Sequence, residues 1–193
     1  MTWFPGFELP DRRETDEVPR GVEGPELERA FELSPAECRY LAQVEGLAPT
    51  QWAELPATER LESLRELEQR LAEIEGRPAV ELRAEPLGPG RCGYYDSERD
   101  VMVVSESLLL DASPLEAIDT VAHEGRHAYQ HYAVAHPEIH GDPFEVASWA
   151  ENFEHYLSAE MYGYELYRNQ PVEADAWAAG ALVRGIFSKP EGA

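Results

Sequence analysis

The 193-residue sequence has a single lysine, Lys189, only two cysteines, and no apolar run near the roughly 20 residues that cross a bilayer. Each shortage argues against a class of function. Cys38 and Cys92 lie far apart and form no C-x-x-C pair, which argues against a disulfide framework and a cysteine-built zinc site. Alone, each reads as a small buried apolar residue. Positive charge is scarce as well: 16 Lys and Arg face 38 Asp and Glu, a formal net charge of −22. Nucleic acid and anionic membranes both need a basic patch, so neither is an expected partner. Such a surface favours cationic or neutral substrates and metal ions. The opening stretch "MTWFPGFELPDRRETDEVPR" has no basic region ahead of an apolar one and does not read as a signal peptide, so a cytoplasmic protein is expected.

A hydrophobic content of 43% suits an ordinary globular core, and the length suits one domain with an appended arm. Residues 1–25 are rich in Pro, Gly and charge and carry Trp3, Phe4 and Phe7, which reads as an extended arm before a single domain over 26–193. Ser34-Pro35-Ala36-Glu37 is a capping box with proline at the first helical position, and it opens a helical scaffold over 34–76. Leu61, Leu64, Leu71 and Ile74 recur at helical spacing over 57–75, ahead of Gly76 and Pro78. Residues 79–105 alternate short strand-like runs with tight turns, which predicts a small antiparallel sheet; "VMVVS" reads as a strand buried on both faces. A second capping box, Ser113-Pro114-Leu115-Glu116, predicts a helix over 114–134. C-terminal helices are expected over 144–186, a long one to about 168 and a last one from about 172. The class is α+β, mostly helical.

The chemistry concentrates in "VAHEGRHAYQHY", residues 121–132, which holds three of the six histidines. On a helix His123 and His127 sit one above the other, about 6 Å apart, so two imidazoles can share one ion. Glu124 is turned by roughly 100° from His123 and is placed to take a proton from a water rather than to ligate. This is the HExxH pattern of zinc peptidases, and Zn2+ is the expected cofactor. His131 lies about 6 Å further along the axis from His127 and about 12 Å from His123, too far to share one ion with both. It is expected to face solvent or to support a ligand. A carboxylate from later in the chain is expected as the third ligand, and Glu138, Glu145, Glu151, Glu154, Glu160, Glu165 and Glu173 are the candidates. Glu173 is favoured, because it follows Pro171 at a helix start where a turn can aim it inward. Tyr164, Tyr167 and His155 are candidate donors to a developing oxyanion. Trp149, Asn152 and Tyr156 share one helix face and read as packing against the motif helix, and Arg126 as a partner for nearby acids.

Over roughly residues 77–180 the chain resembles the gluzincin branch of the zincin metallopeptidases. The likeness rests on "GYYDSERDVMVVS", "TVAHEGRHAYQ" and "YRNQPVEADAW", the last similar to a "QPxExDA" block of compact HExxH proteins. The resemblance implies a zincin-like fold, zinc held by His123, His127 and Glu173, and hydrolysis of a peptide or protein substrate. Larger gluzincins often carry Glu-x-x-x-Asp, whose aspartate holds a ligand histidine. Here position 177 is Trp and the acid is Asp175, so any support reaches the histidine from another angle. Two other readings stay open: a binding or regulatory module built on such a fold, and hydrolysis of a non-peptide amide.

Overall fold

The computed structural model describes residues 31–188, so the arm expected over 1–25 lies outside the described residues. The described chain is α+β, mostly helical, with one three-stranded sheet. Ser34 caps α1 (Pro35–Leu41) through the expected reciprocal box, with the Glu37 side chain accepting the Ser34 N–H. A short α2 (Pro49–Glu54) follows, then α3 (Ala57–Glu75), which stops at Gly76 in the left-handed conformation, φ 70°. Arg60 ties this scaffold to the segment after the sheet, donating to the carbonyls of Leu55, Leu109 and Asp111.

The sheet corrects the expectation of an antiparallel arrangement. β1 (Glu81–Glu85) pairs parallel with β3 (Val101–Ser105), and β2 (Gly93–Asp96) pairs antiparallel with β3 from the other side. The order is β1-β3-β2, so the "GPGR" segment is a crossover that skips one strand position, which β3 later fills. Only the turn at 97–100 is a hairpin; there Asp96 Oδ1 accepts the Glu98 and Arg99 N–H groups. Central β3 is buried along its whole length, as "VMVVS" implies.

A 3-10 turn (Glu106–Leu110) leads to α4 (Leu115–Ala135), the motif helix. The second capping box does not form: Ser113 Oγ accepts the Leu115 N–H instead of the Glu116 N–H. The long helix expected to 168 is broken into α5 (Pro143–Glu154), α6 (Ala159–Tyr162) and α7 (Tyr164–Arg168). The break is tertiary in origin. The Gln170 side-chain amide accepts the Leu157 N–H and donates to the Leu157 carbonyl, both at 3.0 Å, so these backbone groups no longer need helical partners. Asn152 donates to the same Gln170 oxygen and accepts the Val172 N–H at the start of α8 (Pro171–Phe187).

α4 runs through the middle. One cluster packs it against α3, the sheet and α8 through Leu64, Leu67, Met102, Ile118, Val121 and Val183. A second joins it to α5 and α8 through Tyr129, Ala133, Val146, Trp149 and Val172. β2 is pressed close to α4 at Gly93, where a Cβ would lie 2.6 Å from Thr120 Cγ2 and 2.7 Å from the Val103 carbonyl oxygen. The backbone oxygen cannot yield cheaply, so Gly93→Ala is expected to cost about 1–3 kcal/mol in urea denaturation. An unchanged midpoint would contradict this close approach.

Candidate functional site

The HExxH residues occupy the middle of α4, and α8 approaches the same place from across the core. His123 and His127 sit one turn apart with ring centres 4.9 Å from each other. Both turn Nε2 toward Glu173, in the first turn of α8: His123 Nε2 lies 3.5 Å from Oε2, and His127 Nε2 lies 3.4 Å from Oε1. Glu173 is 1% exposed, and its Oε2 is buried without a hydrogen-bond partner. Atoms of His123, Glu124 and His127 that could ligate all lie within 4.8 Å of one another. Glu124 is half-buried, and its Oε2 accepts the Tyr95 N–H of β2 at 3.0 Å. These residues could hold a metal ion, with nitrogen and oxygen donors converging and one buried carboxylate oxygen left over.

The other sequence candidates separate clearly. Glu138, Glu151, Glu154, Glu160 and Glu165 are exposed, and Glu145 accepts from His140 Nε2 at 2.9 Å. His155 is exposed, with Nδ1 against the Glu151 carbonyl. His131 is half-buried rather than facing solvent; its ring stacks on Phe153 at 3.9 Å, and burial lowers its pKa to about 4. Tyr167 is half-buried; burial, then the Glu173 and Glu124 carboxylates, raise its pKa, so the phenol keeps its proton. Tyr164 stands behind it, ring centre 6.3 Å from that of Tyr167.

Tyr156 belongs with the site, although its helical spacing suggests only packing. Its hydroxyl donates to Glu173 Oε1 at 2.6 Å. The break after α5 delivers it there, and the available signal was the Asn152/Gln170-Pro171 pair that makes the break. Trp149 and Asn152 are buried as expected.

A row of buried polar groups backs the two histidines. Gln130 spends its amide N–H groups on the Val172 carbonyl and on Asp175 Oδ2, at 2.9 and 2.7 Å. Its Oε1 must therefore accept, and it meets His127 Nδ1 at 2.9 Å. Neutral His127 thus carries its proton on Nδ1 and turns the Nε2 lone pair toward Glu173. Asp175 supports the histidine after all, through Gln130. Arg126 Nε donates to the same Asp175 oxygen at 2.7 Å, and its Nη1 reaches Glu75 at 3.2 Å. Glu75 pairs with Arg77, which holds Glu68 through both Nη atoms. Gly125 is small for this reason: a Cβ there would sit 3.0 Å from Glu68 Oε2 and 3.1 Å from Arg77 Nη2. The expected role of Arg126 as a partner for acids holds, and both partners lie on other helices.

Burial alone would lower the His127 pKa, but the Glu173 carboxylate outweighs it and raises the pKa to about 9. The same contact holds Glu173 well below the usual carboxylate range against its own burial. No family model, curated protein or solved structure matches the chain.

Two outcomes follow. In chelator, His127 binds a proton more tightly folded than unfolded. Its contribution is full below about pH 6.5 and is lost as pH rises through about 9. Stability measured by urea unfolding should fall across that window, and His127→Gln should flatten the slope; an equal slope in both proteins contradicts the pairing. Arg126→Met leaves buried Asp175 without its cation, while Glu75 keeps Arg77, and should cost about 3–5 kcal/mol in the same unfolding measurement.

Proposed function

We propose that the chain is a zinc-dependent hydrolase of peptide bonds, a compact gluzincin-type metallopeptidase. The observation that carries this reading is the convergence of His123 and His127 Nε2 on the carboxylate of Glu173, 3.5 and 3.4 Å away, beside Glu124. Two imidazoles and one carboxylate suit zinc, and three protein ligands leave a position open for water or substrate, as catalytic zinc requires. When bound by His123, His127 and Glu173, zinc would supply the Lewis acid that polarises a carbonyl and makes water acidic at neutral pH. The sequence likeness at "TVAHEGRHAYQ" and "YRNQPVEADAW" supports the same conclusion.

The chain's own residues divide the remaining work. Glu124 takes the proton from the attacking water and passes it to the leaving amine. Its anchor on the Tyr95 N–H fixes one carboxylate oxygen and leaves the other for this transfer. Tyr167 supplies a neutral O–H toward the charge that develops on the carbonyl oxygen. Tyr156 orients Glu173, and Gln130 orients His127. Tyr164 supports Tyr167 from behind. The Tyr95 bond also gives Glu124 a structural task, which keeps a non-catalytic zinc-binding module as the second reading.

Metal content measured on protein purified without chelator separates this proposal from a fortuitous histidine pair; about one zinc per chain is expected. Glu124→Gln should retain that zinc and lower peptide hydrolysis by about 10²–10⁴-fold. Unchanged hydrolysis by the variant rules out Glu124 as the base. Full zinc loading with no hydrolysis by the unmodified chain favours the binding module.

A further inference from the structure

Arg168, the last residue of α7, is unusual among the described arginines. Arg60, Arg65, Arg70, Arg77, Arg126 and Arg184 are buried or half-buried, and each holds a carboxylate or a backbone carbonyl, while half-buried Arg91 lies over the Tyr94 ring. Arg168 is half-buried too, yet among the described residues it meets neither a carboxylate nor a carbonyl, and its guanidinium carbon lies 4.9 Å from the centre of the Trp177 ring. Glu165, one turn earlier, turns to Asn169 instead. In a chain with 38 acidic residues, a guanidinium held over a ring with its N–H donors unspent among the described residues is suited to receive an anion.

Its position gives the receptor a purpose. The Trp177 ring packs edge-on against His123, centres 5.1 Å apart, so the two ring contacts in series keep the guanidinium within about 10 Å of the His123 imidazole. In a peptide, a scissile carbonyl carbon and the carboxylate carbon of the next residue are roughly 4 Å apart. A bidentate guanidinium–carboxylate pair adds about 4 Å more. A carbonyl beside the histidine pair and a carboxylate on Arg168, separated by one residue, fit within that limit.

We propose that Arg168 binds the terminal carboxylate of the substrate, so that the site removes one residue from the C-terminal end of a peptide. This rests on the peptidase reading above and adds the substrate class to it. Water adds across the last peptide bond. The C–N bond breaks, a C–O bond forms, the proton goes to the leaving nitrogen, and the products are a shortened peptide and a free amino acid. With the surrounding charge strongly negative, one cation at this distance also selects direction, because a chain entering amine-first would leave Arg168 without a partner.

The test uses N-acetylated peptides made in pairs, as free acids and as C-terminal amides, with the zinc-loaded chain. Mass spectrometry should show loss of a single C-terminal residue from the acids, and the amides should react at least about 100-fold more slowly. Arg168→Met should bring the acids down to the amide rate, and Arg168→Lys should restore part of the difference. Equal rates for acid and amide, or cleavage at internal bonds of both, overturn the proposal. Binding is read separately by calorimetry on zinc-loaded Glu124→Gln, where the acid should bind at least about 10-fold more tightly than the amide, and Arg168→Met should abolish the preference. Carboxylate-dependent binding without cleavage by the unmodified chain would remove the peptidase reading and leave Arg168 as a carboxylate site. Absence of the preference removes Arg168 whatever the catalytic outcome.

Discussion

The structure turns on Arg126. Its side chain is 6% exposed and joins three helices at once, reaching Glu75 at the end of α3 and Asp175 on α8 from its own place on α4. Through Asp175 and Gln130 it continues to His127, and through Glu75 and Arg77 it continues to Glu68. Three buried carboxylates, Glu68, Glu75 and Asp175, thus share two guanidiniums, and a fourth, Glu173, faces the two histidines at the end of the row. The row is short of two positive charges, and buried negative charge without compensation is costly. A protonated His127 makes up one of them. The proposed divalent cation at the His123/His127/Glu173 end would make up both.

Much of the site was legible because its spacing is local. An i, i+4 histidine pair with an adjacent glutamate has one geometry on a helix, and Pro171 marks the start of the helix that delivers Glu173. The parts that were not legible depend on contacts between distant segments. Nothing in "GPGR" says whether the next strand pairs with the previous one or leaves a gap for a third, so the direction of β1 against β3 was hidden. Residues 155–158 contain neither glycine nor proline, and a helix through them is a fair reading. It fails because Gln170, thirteen residues away, takes both backbone groups of Leu157.

That same break gives Tyr156 a second role beside the packing its spacing suggests. Its side chain does pack near Tyr167, ring centres 6.2 Å apart. The hydroxyl, however, emerges on Glu173, and a phenol with one apolar body and one polar tip can serve both roles. The sequence likewise shows Arg126 beside many acids without saying which. The choice of Glu75 and Asp175, each about fifty residues away, is made by helix packing around Gly125, where a side chain would press on the Arg77–Glu68 pair.

The bond from Tyr95 to Glu124 has a bearing on how the molecule meets its neighbours. Among the described residues β2 is an edge strand, and an unpaired N–H on such an edge is a template onto which another chain can zip. Here the donor is filled from within by a carboxylate carried on a rigid helix. A foreign strand would have to strip that charge of its partner before it could register. One bond between helix and strand thus closes one donor on the sheet's edge to an incoming chain.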